Sequence, residues 1–181
     1  GRQQPVEGAS PGTYRDPRFS PDGTRLAVAL GSHLFTYDIS RGTLSQFTRD
    51  SVDNYSPAWM PDGRSIVFTS TRGAVRRLYV RQADGTGPEQ LLLKGRAGLV
   101  DLRAMETTRD GSTLLVTRVP PELRCWIGRV KVGDAKDTDS ADVARTSGCN
   151  DFPRLSPDGR WLAYTAGTVV GAAGAGAVAV V

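Results

Sequence analysis

Short stretches of this chain carry apolar side chains two positions apart, and clusters of turn-forming residues separate one stretch from the next. Arg25–Leu30 and Ser65–Ser70 are two of these stretches. Successive side chains of a β-strand point to opposite faces, so this spacing is typical of strands with one buried face. The pattern predicts many short strands and little helix.

The stretches belong to a unit that recurs about every 40 to 48 residues. Such self-similarity is typical of repeat architectures. Each unit has a turn sequence of the Pro-Asp-Gly type, worn in the third copy: Pro21, Asp22 and Gly23; Pro61, Asp62 and Gly63; Asp110 and Gly111; Pro157, Asp158 and Gly159. Four residues after each aspartate stands a large aliphatic residue: Leu26, Ile66, Leu114 and Leu162.

The turn sequence has a direct physical meaning. Proline suits the first central position of a type I turn, and glycine accepts the left-handed conformation that closes a hairpin with a bulge. We therefore interpret these residues as structural turns, in preference to phosphate-binding loops or metal ligands. A β-branched residue in place of Gly63 is expected to be costly, because it would need a positive φ.

Each unit has room for four short strands, here called a to d in chain order. Four strands per unit predict an all-β fold, a partial β-propeller with three full four-stranded blades and incomplete blades at both ends. The expected division is 1–12 for the end of a preceding blade or a linker, 13–50, 51–98 and 99–148 for blades 1 to 3, 149–166 for the start of blade 4, and 167–181 for a Gly/Ala/Val tail.

The repeats resemble the TolB-type, WD40-like (PD40) β-propeller family over about residues 13–165. The likeness rests on Arg18–Ala27, Pro57–Ser70, Leu78–Val80 and Leu155–Tyr164. It implies a ring of blades whose strands a line a central channel. The chain is also similar to propellers of bacterial serine/threonine kinases outside the cytoplasm and to related periplasmic proteins. This implies a periplasmic or extracytoplasmic location, with a cytoplasmic one still open.

The third copy departs from the family pattern, with Thr107 in place of the aromatic residue and Arg109 in place of proline, which predicts a looser edge. We favour a piece of a larger ring over a four-bladed ring closed by the N-terminal residues. For the 167–181 tail, a non-packing end is favoured over a hairpin that supplies strand c.

Composition and charge narrow the function. The net charge is +4, but the arginines are scattered, whereas a nucleic-acid surface clusters them, so no nucleic-acid partner is expected. No stretch resembles a signal peptide or a membrane span. The chain also lacks the Gly-x-Ser-x-Gly and phosphate-loop motifs, and it has a single histidine, His33. We expect no catalytic residue, no metal and no cofactor.

The two cysteines, Cys125 and Cys149, flank an expected c–d hairpin at equal distances from its tip. Opposed positions on antiparallel strands are close enough for a disulfide, which would indicate an oxidising compartment. Two unrelated buried thiols are the alternative. Four acidic residues near the hairpin tip are interpreted as solvated rather than as a Ca²⁺ site: Asp134, Asp137, Asp139 and Asp142.

Loops at the channel mouth are the candidate ligand-binding elements. The d–a crossing contributes Asp53, Asn54 and Tyr55, and the b–c loop contributes Arg72 and Arg76. Bonds from such residues to neighbouring backbone groups are the alternative. The sequence thus predicts a non-catalytic propeller that binds protein or peptide partners within a larger bacterial envelope or signalling protein. The alternative is a substrate-gating propeller of a prolyl-oligopeptidase-like hydrolase whose catalytic domain is absent here.

Overall fold

A computed structural model describes residues 6, 8, 9, 11–73, 75–94, 99–122, 124–133, 141–144 and 148–167. Throughout this described part, the regular elements are β-strands. In chain order they are β1 (Tyr14–Phe19), β2 (Arg25–Leu30), β3 (His33–Asp38), β4 (Thr43–Gln46), β5 (Asn54–Trp59), β6 (Ser65–Ser70), β7 (Arg77–Gln82), β8 (Gln90–Lys94), β9 (Asp101–Thr107), β10 (Thr113–Val119), β11 (Trp126–Lys131), β12 (Ala141–Ala144), β13 (Cys149–Leu155) and β14 (Leu162–Gly167).

These strands form three antiparallel four-stranded sheets and one two-stranded sheet, each assembled from strands that follow one another in the chain. Sheet 1 holds β1–β4, sheet 2 holds β5–β8, sheet 3 holds β9–β12 and sheet 4 holds β13 and β14. The prediction of an all-β partial propeller with three full blades is confirmed. Most of the 167–181 tail and of residues 1–12 lies outside the described residues.

The Pro-Asp-Gly sequences form the bends between the first and second strands of each sheet, the a–b turns. In the first, the Gly23 amide donates to the Ser20 carbonyl at 2.8 Å, and Gly23 has φ 71°. The Asp22 carboxylate accepts hydrogen bonds from the Ser20 hydroxyl (2.6 Å) and from the Thr24 amide (3.0 Å). The aspartate therefore fastens both ends of the turn.

The worn third copy makes the same turn. The Gly111 amide donates to the Thr108 carbonyl at 2.8 Å, and the Thr108 hydroxyl donates to Asp110 at 2.6 Å. Thr108 supplies the hydroxyl that Ser20 supplies in the first copy. These hydrogen bonds form although this copy lacks the proline of the others. The looser edge expected for this copy is not seen at its turn.

These hydrogen bonds lead to a pH-dependent prediction. The bond from the Ser20 hydroxyl, followed by those from Thr24, lowers the pKa of Asp22 from 3.8 to about 2. Because the pKa falls on folding, ionised Asp22 stabilises the turn above pH 3.8, and this contribution is lost as the pH falls towards 2. Ser20→Ala should raise the pKa of Asp22 towards 3.8, as measured by carboxyl-carbon NMR titration.

Asp110 is the internal control, because its own hydrogen bonds to Thr108 and Ser112 lower its pKa to about 2. Its titration should not move in the Ser20→Ala variant. An unchanged Asp22 titration in that variant would show that the hydroxyl is not the main cause.

Neighbouring sheets pack face to face on apolar side chains, but the three interfaces differ in size. The interface between sheets 1 and 2 is built on Ala27, Ala29, Leu34, Phe47, Trp59, Ile66, Phe68 and Ala83. Sheets 2 and 3 share Ala58, Val67, Leu78, Leu92, Leu93, Leu102, Ala104, Leu114, Val116 and Val130. Sheets 3 and 4 share two small clusters: Met105, Leu115 and Leu162; Val119, Cys125 and Cys149.

Candidate functional site

The a–b turns of all four sheets surround an open groove of about 1050 Å³. Its floor and walls come from the last residues of β1, β5, β9 and β13 and from the turns that follow them. Phe19, at the rim, has 67% of its surface exposed. A concave surface that combines apolar and charged side chains on rigid elements is the usual form of a binding site.

Equivalent repeat positions supply the central side chains of this groove. The residue four positions before the turn aspartate lines it in every sheet: Arg18, Ala58, Glu106 and Arg154. In every sheet a β-bulge precedes this position, and in three of them it contains a positive-φ residue followed by proline: Asp16, Ser56 and Phe152. A bulge redirects the side chains that follow it. All four groove positions therefore follow a bulge.

The groove carries more positive than negative charge at its centre. Arg18 Nη1 donates to the carbonyl of Pro17 at 2.9 Å, and Arg154 Nη1 donates to that of Pro153 at 2.8 Å. Neither guanidinium forms a salt bridge with a carboxylate of the described residues. The Glu106 carboxylate instead accepts the Leu155 amide at 2.9 Å.

Burial and mutual charge both act on these groups. Burial, followed by the charge of Arg154, lowers the pKa of Arg18. Burial also raises the pKa of Glu106, against the opposing effects of the Leu155 amide, Arg154 and Arg18. Each of these charges therefore senses the others across the groove. Because Arg109 and Asp110 also line it, an incoming anion would meet three guanidinium groups and two carboxylates.

One wall of the groove is held rigidly by bonds between sheets. Trp59 Nε1 donates to the Arg18 carbonyl at 2.9 Å, and the Thr107 hydroxyl donates to the Trp59 carbonyl at 2.8 Å. The Arg25 guanidinium lies 4.8 Å from the centre of the Trp59 ring and donates to the Gly63 carbonyl at 2.6 Å. This tryptophan thus ties sheets 1, 2 and 3 together beside the groove.

The sequence-predicted binding residues lie at the other end of the innermost strands. The Tyr55 hydroxyl donates to Asp101, and burial, followed by that bond and the charge of Asp101, raises the pKa of Tyr55. Arg103 then joins Asp101 to Asp151, at 2.7 Å from each. Tyr55 therefore begins a polar chain that crosses from sheet 2 to sheet 4, and Arg76 lies close enough to act on its pKa.

Besides Tyr55, two more of the predicted residues are engaged within the chain. Asn54 is fully buried and donates to Asp50 at 2.6 Å. Arg72 forms salt bridges with Asp50 and Glu89, and its guanidinium lies over an aromatic ring. Asp53 is exposed and Arg76 half-buried. A binding role for these five residues stays a prediction, and Asn54 and Arg72 would have to give up internal partners to bind a ligand.

Cys125 and Cys149 are joined by a disulfide, but not across the hairpin from which the pairing was inferred. Cys149 is the first residue of β13 and pairs with Gly167 in sheet 4, whereas Cys125 directly precedes β11 of sheet 3. The Asn150 amide also donates to the Cys125 carbonyl at 2.9 Å. The expectation of a c–d bridge within one blade was wrong, since the bond links two sheets.

Asp134, Asp137 and Asp139 lie outside the described residues. Within the described ranges, no group of three or more His, Cys, Asp or Glu side chains is placed to hold a metal ion. A search of the same ranges finds no helix with the length and apolar character to cross a membrane.

Reading the sequence for loop residues missed Arg18, Glu106 and Arg154. A signal for them is present in the repeat itself. An alignment of the four copies shows two arginines, a glutamate and an alanine at a position that has no role in the turn. Three of the four copies thus carry a charged residue at a position that faces the groove.

Comparison with known proteins agrees with this architecture. Residues 1–171 match the family described as TolB beta propeller domain (PD40). The uncharacterized peptidase YuxL of Bacillus subtilis is 24% identical over 83% of this chain and 29% of its own length. The Tol-Pal system protein TolB of Wolinella succinogenes is 25% identical over 80% of this chain and 34% of its own length.

Among solved structures, TolB from Acinetobacter baumannii superimposes with a TM-score of 0.70 at 20% identity, over 89% of this chain and 39% of that one. At this identity the likeness shows the fold alone. The chain spans less than two fifths of the length of each of these three proteins. By the family match over nearly its whole length, the chain belongs to the TolB beta propeller domain family.

Proposed function

We propose that this chain is a non-catalytic β-propeller module that binds a protein or peptide, and that its partner occupies the groove at the a–b turns. The groove itself carries the proposal, because it is open, has a volume of about 1050 Å³ and is lined by all four sheets. Apolar Phe19, Met105 and Leu155 lie beside charged Arg18 and Glu106, the combination that protein interfaces use. The propeller contributes rigidity rather than a reactive group.

We also propose that the module acts outside the cytoplasm, within a larger bacterial envelope or signalling protein. Disulfides persist mainly in oxidising compartments, and the Cys125–Cys149 bond supports such a location. The similarity to TolB of Wolinella succinogenes supports it as well. The proposal includes no nucleic acid, because Glu106 interrupts the basic residues of the groove, whereas a nucleic-acid surface clusters them.

The similarity to the peptidase YuxL favours a second function, in which the propeller gates substrates for a hydrolase domain in the same polypeptide. The coding sequence on either side of this chain separates the two functions. A hydrolase domain there would favour the second, and a kinase domain the first.

Selection from a phage-displayed library of random dodecapeptides tests the proposed function. The selected peptides should bind in the groove, so Phe19→Ala should weaken them about fivefold or more, as expected for removal of an exposed aromatic anchor. Ile39→Ala is the matched control, since Ile39 is 45% exposed but does not line the groove. Binding should be measured by biolayer interferometry with synthetic copies of the selected peptides.

Two results would contradict the proposed function. One is a failure of repeated selections to enrich any peptide. The other is that Phe19→Ala and Ile39→Ala leave all the selected peptides with the affinity of the unaltered protein.

A further inference from the structure

Two arginines face the groove without the partners that arginine usually has in a folded protein. Arg18 from sheet 1 and Arg154 from sheet 4 each donate only to the carbonyl of the preceding proline, and no described carboxylate pairs with them. Other arginines of the chain, such as Arg72 and Arg103, are held by two carboxylates each. The guanidinium groups of Arg18 and Arg154 therefore retain N–H donors that can bind a ligand.

The surroundings narrow the chemistry that these donors fit. A guanidinium presents a planar set of N–H donors that matches a carboxylate, and here Arg18 is half-buried and Arg154 exposed. Glu106 lies between the arginines in the repeat order and separates their positive charges, so the groove matches separated carboxylates better than a continuous row of charges. The adjoining surface is apolar, with Phe19, Met105 and Leu155 in the lining. Isolated carboxylates next to large apolar side chains fit this combination best.

Resting on the proposed function, we infer that Arg18 and Arg154 bind carboxylate side chains of an acidic segment of a partner protein, whose large apolar side chains pack on Phe19 and Leu155. Glu106 limits the affinity, because it repels the incoming carboxylates. Its second role is structural, since it accepts the Leu155 amide, and glutamine at this position can still accept that bond.

Three fluorescein-labelled peptides test this inference by fluorescence anisotropy. The first repeats Glu-Leu-Phe-Glu and has blocked ends; the second has Gln for each Glu; the third is the Gln peptide with a free C-terminal carboxylate. The Glu peptide should bind about tenfold or more tightly than the blocked Gln peptide, the usual gain from a charge-assisted hydrogen bond. The free-carboxylate Gln peptide should bind as weakly as the blocked one.

The variants assign the preference to the two arginines. Arg18→Gln and Arg154→Gln should each remove most of the Glu-over-Gln preference, whereas Arg129→Gln, at an exposed arginine on β11 away from the groove, should keep it. Glu106→Gln should tighten the Glu peptide severalfold. A purely structural role for Glu106 predicts weaker binding instead. Added salt should also reduce the Glu-over-Gln preference of the unaltered protein, because salt screens attraction between charges. This measurement does not depend on how the variants fold.

Equal affinity for the Glu and Gln peptides, or a preference that survives in both arginine variants, overturns the inference. The inference also fails if the Gln peptide with a free C-terminus binds as well as the Glu peptide. The arginines would then bind the carboxylate of a chain terminus rather than those of side chains. If the peptides bind equally and Phe19→Ala weakens both, the inference fails while the proposed function stands. If neither binds and the library also enriches nothing, both fail.

Discussion

Reduction of the Cys125–Cys149 bond should lower the free energy of unfolding by about 3 kcal/mol. A cross-link that closes a loop of this length restricts the unfolded chain, and the chain-entropy relation gives a loss of this size for a sequence separation of 24. The bond also lies where apolar packing is weakest. Among the described residues, two clusters of three buried residues each join sheets 3 and 4, whereas the other two interfaces have clusters of eight and ten. Sheet 4 should therefore loosen first.

Urea denaturation of the oxidised and the reduced protein measures the loss, and amide hydrogen exchange locates it. Amides of β13 and β14 should exchange faster after reduction, while those of β6 should change little. The double variant Cys125→Ser/Cys149→Ser is the control, because reductant should not alter its unfolding. Equal unfolding midpoints for the oxidised and reduced protein would show that the disulfide contributes nothing to stability.

The strands and turns could be predicted from sequence because neighbouring residues in the chain specify them. Each hairpin is specified by a turn sequence and by the apolar spacing just after it, so the bounds of β2 and β6 agree with the two stretches named from sequence. The first strands of sheets 1 and 2 each contain a proline, Pro17 and Pro57, and each proline lies in a bulge that lets pairing continue on its other side.

The path of the disulfide could not be predicted in the same way. The argument from equal distances assumes a regular hairpin in which opposed residues stay opposed. The pairing of β11 with β12 instead shifts register between Ile127 and Gly128, and β12 ends at Ala144. Cys149 then starts the next sheet. The predicted division already ends blade 3 at residue 148, so the assumption of one regular hairpin reaching Cys149, rather than the blade boundary, was the error.

The candidate site shows the same limit for side chains. Asn54 and Arg72 have the residue types of a binding loop, and only the structure reveals that Asp50 holds both of them. Arg18 and Arg154 lie inside strands, whereas ligand-binding residues were expected in loops. What distinguishes the two pairs is the presence of a partner from elsewhere in the chain, and this depends on tertiary packing.

Phe68→Ala should destabilise the protein by about 3 to 5 kcal/mol, the usual loss for removing a fully buried aromatic ring. Phe68 has 0% exposure on β6, and its ring centre lies 5.8 Å from that of Phe47 and 6.1 Å from that of Tyr79. The cavity would open in the interface between sheets 1 and 2, which no disulfide spans among the described residues. Urea denaturation at equilibrium measures the loss.

Phe19→Ala makes the same chemical change at a position with 67% exposure, so it should cost less than about 0.5 kcal/mol. The two phenylalanines thus separate folding from recognition: Phe68→Ala should reduce stability and leave peptide affinity per folded molecule unchanged, whereas Phe19→Ala should do the reverse. A large stability loss in Phe19→Ala would mean that its ring packs inside the fold rather than at the rim of a binding groove. A small loss in Phe68→Ala would mean that sheets 1 and 2 do not share a packed core, and the rigid groove built on that core would lose its support.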